Sequence, residues 1–92
     1  MSEPVTRTLT IVNEKGLHAR ASAKLVELVE DFDAEAVVSK DGVAASADSI
    51  MGLLMLVAAK GSTITVTTTG ACADDLAVAI DELVANKFGE EA

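Results

Sequence analysis

The sequence has no tryptophan and no tyrosine, and in 92 residues only two phenylalanines, one proline, one cysteine and one histidine. Any core must therefore be built from Val, Leu, Ile, Ala and Met, which with the few aromatics make up half the chain. The lone Cys72 excludes an intramolecular disulfide, and one cysteine with one histidine cannot form a Cys/His metal cluster. Bases are scarce: seven against 15 acids, a formal charge of −8. That argues against a nucleic-acid partner, which calls for a basic face to neutralise phosphates. No apolar run approaches the ~20 residues that span a bilayer, and the opening "MSEPVTRT" is too polar for a secretory signal. Spacing supports no Ser–His–Asp or Cys–His arrangement and no phosphate-binding glycine loop. The expectation is one domain over residues 1–92, cytoplasmic, without metal, cofactor or membrane insertion.

What is present alternates in an orderly way. "VTRTLTIV", residues 5–12, sets Val5, Leu9 and Ile11 against Thr6, Thr8 and Thr10, the period of a strand with one wet face. After the turn "NEKG" the period lengthens, and Leu17, Ala21, Leu25, Leu28 and Phe32 fall on one helical stripe. "EAVVSK-DG-VAASA" reads as two strands joined by a tight Asp41-Gly42 turn. Ser49 is a fitting N-cap for a short helix whose stripe is Ile50, Leu53, Leu54 and Val57, closed by Gly61. "STITVTTTG" gives a fourth strand. A last helix carries Leu76, Ile80, Leu83 and Val84, with Asp74 and Asp75 complementing the dipole at its start. The order β-α-β-β-α-β-α, with threonine rows on the outer faces of the first and last strands, predicts an α+β open-faced sandwich: a mostly antiparallel sheet covered on one face by three helices.

The only histidine, His18, stands where the first turn becomes a helix. A plain cap is the ordinary reading of such a residue. Its neighbours suggest more. Gly16 allows a close backbone approach, and Leu17 can anchor the turn in the core. The amides of Ala19, Arg20 and Ala21 then lack intrahelical acceptors, and with the positive end of the helix dipole they offer an anion site. Arg20 adds a planar fork suited to phosphate oxygens, and Lys15, Arg20 and Lys24 gather three of the seven bases. Imidazole titrates near neutrality, so a ring nitrogen with a free lone pair can take up a phosphoryl group and pass it on. No metal is needed for that transfer.

"GLHARASAKLV" resembles the active-site segment of the histidine-containing phosphocarrier proteins (HPr) of the bacterial phosphotransferase system. "DSIMGLLMLVAAKGSTITV" resembles that family's second signature, around its regulatory serine. The resemblance implies sheet order 1-4-2-3 and a carrier that is not itself an enzyme. His18 would be phosphorylated on Nδ1 by enzyme I, itself charged from phosphoenolpyruvate, and would donate the group to an enzyme IIA protein or domain. Arg20 would neutralise the phosphate, and Ser49 would be the site of a dedicated HPr kinase/phosphorylase. One departure stands out: Ala21 occupies a place where the family usually has proline. Alanine keeps the helix and adds a donor. "FDAEAVV" and "LLMLVAAKG" look closer to the nitrogen-regulatory branch than to sugar uptake.

Leu17, Met51, Leu54 and Met55 are the expected docking patch, because flexible thioethers suit a surface that meets several partners in turn. Cys72 is expected to pack or cap near the last helix, and the tail "GEEA" to fray. Transient partners favour a monomer. A rival function is a regulatory binding module on the same fold, with His18 idle and Ser49 in control. Its difficulty is the intact His–x–Arg pair, for which an idle site has no use. A small-ligand or metal-binding domain lacks the ligands.

Overall fold

The computed structural model describes residues 3–92, so Met1 and Ser2 at the head of "MSEPVTRT" lie outside it. The elements run β1 (Val5–Thr10), α1 (Ala19–Glu30), β2 (Glu35–Lys40), β3 (Val43–Ser46), α2 (Ile50–Leu54), β4 (Thr63–Thr69) and α3 (Ala73–Ala85), followed by a 3₁₀ turn at Lys87–Gly89. The four strands form an antiparallel sheet in the order β1-β4-β2-β3. The helices cover one face, which is the open-faced sandwich expected from the period changes along the chain.

Local chemistry accounts for each element. β4 buries Ile64, Val66 and Thr68 by strict alternation and leaves the intervening threonines wetter. Thr68 can be buried because its hydroxyl donates to the carbonyl of Ala73 at 2.8 Å, which removes the cost of an unpaired polar group. The β2–β3 hairpin turns through Asp41 (φ 50) and Gly42 (φ 82), the two left-handed residues of a type I′ turn whose twist matches the strands. Arg7 lies on the helix-facing side of β1, where its Nη1 donates to Asp81 Oδ2 of α3 at 2.5 Å.

Two helical stripes differ from the sequence expectation. In α1 the buried residues are Ala21, Ser22, Leu25 and Val29, while Leu28 and Phe32 are half-buried. Ser22 is tolerated because its hydroxyl donates to the Leu17 carbonyl. In α2 only Leu53 is fully buried, and the helix ends at Leu54, well short of Gly61. The chain then reverses through Val57, whose φ is +51, and inserts Leu56 and Ala58 instead. A helix that stops this early cannot carry a stripe to i+7, so Ile50 (39% exposed) and Val57 (76%) face outward.

The tail is tied down as far as Glu90 rather than fraying from Gly89. Lys87 and Phe88 both take left-handed conformations (φ 58 and 56), each costing roughly 1–2 kcal/mol. Phe88 is fully buried in the core, a gain of about 1.5–3 kcal/mol. These terms nearly cancel, so polar contacts decide where the last residues lie, and those contacts are made at His18.

Candidate functional site

Gly16 brings the β1–α1 loop against the segment that follows α2. Its φ is +65, and a Cβ there would sit 2.4 Å from the carbonyl oxygen of Ala58. The same oxygen accepts from the Leu17 amide at 2.9 Å. Leu17 is buried (5% exposed) and belongs to the core. That corrects its place in the docking patch: it fixes the loop and presents no surface.

His18 follows as the N-cap of α1, with extended backbone (φ −80, ψ −175) and a side chain 27% exposed. Its Nδ1 accepts from the Arg20 amide at 3.3 Å, and its carbonyl accepts the first intrahelical bond, from the Ser22 amide at 2.8 Å. On the other side of the ring, Nε2 pairs with Glu90 Oε2. A carboxylate only accepts, so these partners assign the hydrogen to Nε2 and leave Nδ1 with its lone pair toward the helix start.

Glu90 is itself held. Asn13 is fully buried, and its Nδ2 donates both to the Gly16 carbonyl and to Glu90 Oε1, each at 2.8 Å. Both neighbours are acceptors, which fixes the amide's orientation and leaves Asn13 Oδ1 buried without a partner. The Asn13 donor, and then His18, hold the Glu90 carboxyl below the usual glutamate value against the opposing effect of burial. Lys24 Nζ donates to the Phe88 carbonyl at 2.7 Å. Thus Lys24, counted above among the bases awaiting an anion, is occupied with tethering the tail.

A shallow cavity of about 330 Å³ opens on the Glu90 side of the site, lined by Glu14, Lys15, Arg20, Glu90, Glu91 and Ala92. Arg20 is exposed and its guanidinium makes no hydrogen bond or ion pair among the described residues. Glu14 is engaged by Lys60 at 2.9 Å, which lowers its carboxyl. Ala19 is exposed and Ala21 fully buried. The structure sets His18, Ala19, Arg20 and Ala21 at the start of α1, where the sequence reading put them, and adds Asn13 and Glu90, which that reading missed. The signal was faint: "VNEKG" looked like an ordinary turn, and "GEEA" is 72 residues from the histidine. Local charge is accordingly more balanced than the three bases suggested, with Glu90 and Glu91 facing Lys15 and Arg20.

Ser49 lies in a second place. It caps α2, its Oγ accepting from the Gly52 amide at 3.0 Å. Met51 (69%) and Met55 (72%) project from that helix, with Ile50, Val57 and, on the β1 side, Val12 (36%) also exposed, while Leu54 is half-buried. Among the described residues, no group of three or more His, Cys, Asp or Glu could hold a metal ion, and no helix is long and apolar enough to cross a membrane.

Comparison with known proteins places the chain in a family. The family model described as "PTS HPr component phosphorylation site" matches residues 5–86. The phosphocarrier protein HPr of Cupriavidus necator is 46% identical over 84 residues, covering 91% of this chain and 94% of its own. The phosphocarrier protein NPr of Shewanella violacea is 48% identical, with 91% and 92% covered. The NPr of Escherichia coli K12 is 41% identical over 88 residues, with 95% and 98% covered. Among solved structures, an HPr from Thermoanaerobacter tengcongensis superposes with a TM-score of 0.90 at 33% identity, covering 96% of this chain and 99% of that one. With its sheet order, its capping histidine and relatives of matching length, the chain belongs to the HPr family of phosphocarrier proteins of the phosphotransferase system.

Proposed function

We propose that this phosphocarrier loads its phosphoryl group on His18 Nδ1, taking it from phosphorylated enzyme I and passing it to an enzyme IIA protein or domain. The observation that carries the reading is the two-sided hold on the ring: a carboxylate at Nε2 and a helix-start amide at Nδ1. As the long 3.3 Å bond from the Arg20 amide lets go, attack of the Nδ1 lone pair on phosphorus makes the N–P bond while the donor's bond to phosphorus breaks and its electron pair leaves with the donor. The new phosphoryl oxygens then lie at the start of α1, near the amides of Ala19, Arg20 and Ala21, with the Arg20 guanidinium free to fold over them. Fixed dipoles in place before the reaction need no reorganisation as charge develops. Ala21 in place of proline supplies one further donor at the helix start.

Met51, Leu54 and Met55, joined by Ile50 and Val57, form the surface on which enzyme I and the acceptor dock in turn. The bond from the Leu17 amide to the Ala58 carbonyl, which ties the segment after α2 to the His18 loop, supports this. Ser49 is the regulatory site, at which a kinase would add negative charge beside that surface. The likeness of "FDAEAVV" and "LLMLVAAKG" to the nitrogen-regulatory branch, with NPr as well as HPr proteins among the relatives, supports a nitrogen-regulatory acceptor. The protein acts in the cytoplasm as a monomer.

The experiment is incubation with enzyme I and phosphoenolpyruvate, followed by intact mass. The expected result is one acid-labile phosphoryl adduct, absent in His18→Ala. Absence of any adduct in the wild-type protein overturns the reading and favours a non-carrying module controlled through Ser49.

A further inference from the structure

The tail residue Glu90 has no part in the reading above beyond holding the resting ring, yet its placement is elaborate. Phe88 is buried in the core in a left-handed conformation, Lys24 ties the carbonyl of Phe88, and buried Asn13 grips one Glu90 oxygen while the other meets His18 Nε2. Three residues from three parts of the chain, Asn13, Lys24 and Phe88, thus deliver one carboxylate to the nitrogen that does not react. We propose that Glu90 is a positioning residue for phosphoryl transfer, holding a proton on His18 Nε2 throughout the carrier cycle and so setting how readily the phosphoryl group is given up. This rests on the reading of His18 as the phosphoryl carrier.

The proton balance gives the reason. Neutral imidazole with hydrogen on Nε2 attacks through Nδ1, and the product is an N-phosphoryl imidazolium with a positive ring. Two fates follow. If Nε2 keeps its proton, an acceptor's attack on phosphorus returns the N–P electron pair to Nδ1 and releases neutral imidazole. If Nε2 has lost its proton, the same departure must release an imidazolate anion, a far poorer leaving group. A carboxylate bonded to Nε2–H favours the protonated state, as an opposite charge in contact does for any titrating cation. It sits on the side of the ring away from Nδ1, so the phosphoryl group and Glu90 do not compete for space.

Other charges surround this site: Glu14 and Lys15 from the β1–α1 loop, Arg20 from α1 and Glu91 from the tail line the same cavity as Glu90, with Lys24 of α1 tied to the tail and Lys87 near Glu14. Lys60 already engages Glu14, and Lys24 is bonded to a carbonyl. Glu90 alone among the acids touches the imidazole.

The test charges the intact protein with phosphoramidate, a small donor whose P–N bond breaks to release ammonia, and follows loss of the phosphoryl group by ³¹P NMR from pH 5 to 9. Phosphoryl loss slows as Nε2 deprotonates, so each protein shows a falling limb. Glu90→Gln keeps the size and a bonding oxygen but removes the charge. Its falling limb is expected about one pH unit lower than that of wild type, with loss about tenfold slower on the alkaline side. Glu90→Asp, which restores the charge on a shorter stem, is expected to bring the limb part of the way back. Superimposable profiles for wild type and Glu90→Gln overturn the proposal and leave the carrier reading intact. If wild-type protein takes up no phosphoryl group on His18, the carrier reading itself fails, and the proposal with it.

Discussion

The closest backbone approach at the site allows a controlled perturbation. Gly16 and Gly61 both have positive φ, +65 and +89, so alanine at either adopts a left-handed conformation at a cost of roughly 1–2 kcal/mol. At Gly61 a Cβ meets nothing within 4 Å, and that strain is the whole penalty. At Gly16 the Cβ falls 2.4 Å from Ala58 O and 2.9 Å from Ala59 Cα, both backbone atoms. The loop must lift, and the Leu17 amide then loses its acceptor, which is the same Ala58 oxygen. Orphaning a buried amide adds about 1–3 kcal/mol. Gly16→Ala is therefore expected to lose about 1–3 kcal/mol more than Gly61→Ala, a further fall in Tm of roughly 10 °C for a domain of this size. With no Trp or Tyr in the chain, the assay is urea and thermal unfolding followed by far-ultraviolet circular dichroism. Phosphoryl uptake by the folded fraction of Gly16→Ala should also drop, since that loop carries His18, while Gly61→Ala keeps it. Equal losses of stability in the two variants would refute the argument that Ala58 limits this position.

Further expectations concern the tail, the acid limb and the second cap. Phe88→Ala should cost about 3–5 kcal/mol by unfolding, less whatever left-handed strain it relieves, and should release Glu90, visible as loss of the His18 contact in NMR. The Glu90 carboxyl is held below its ordinary value of 4.5. Its contribution to stability is complete above that value and disappears as pH falls through the folded one. Urea midpoints measured from pH 7 down to 3 should therefore fall less steeply in Glu90→Gln than in wild type. Ser49→Ala removes the acceptor for the Gly52 amide and should destabilise by about 1 kcal/mol, whereas Ser49→Asp keeps a cap and should slow phosphoryl uptake from enzyme I through its charge.

What the chain order alone determined was everything governed by short-range periodicity and by single-residue geometry. The sheet-facing alternation of Ile64 and Val66, the Asp41-Gly42 turn, Ser49 at a helix start and the break at His18 are local consequences of side-chain period and backbone preference. The tertiary structure decided what depends on distant partners. Nothing near Ile50 announces that α2 stops after Leu54 and turns Ile50 and Val57 to solvent. Leu17 reads equally well as a docking residue until the Ala58 carbonyl locks its amide inside. Glu90 could not be assigned to His18 from sequence, because the connection runs through a buried Phe88 and a tethering Lys24 that together bring the chain's end back to its first helix. Packing against remote residues set these outcomes, and a period in the sequence carries no record of what it will pack against.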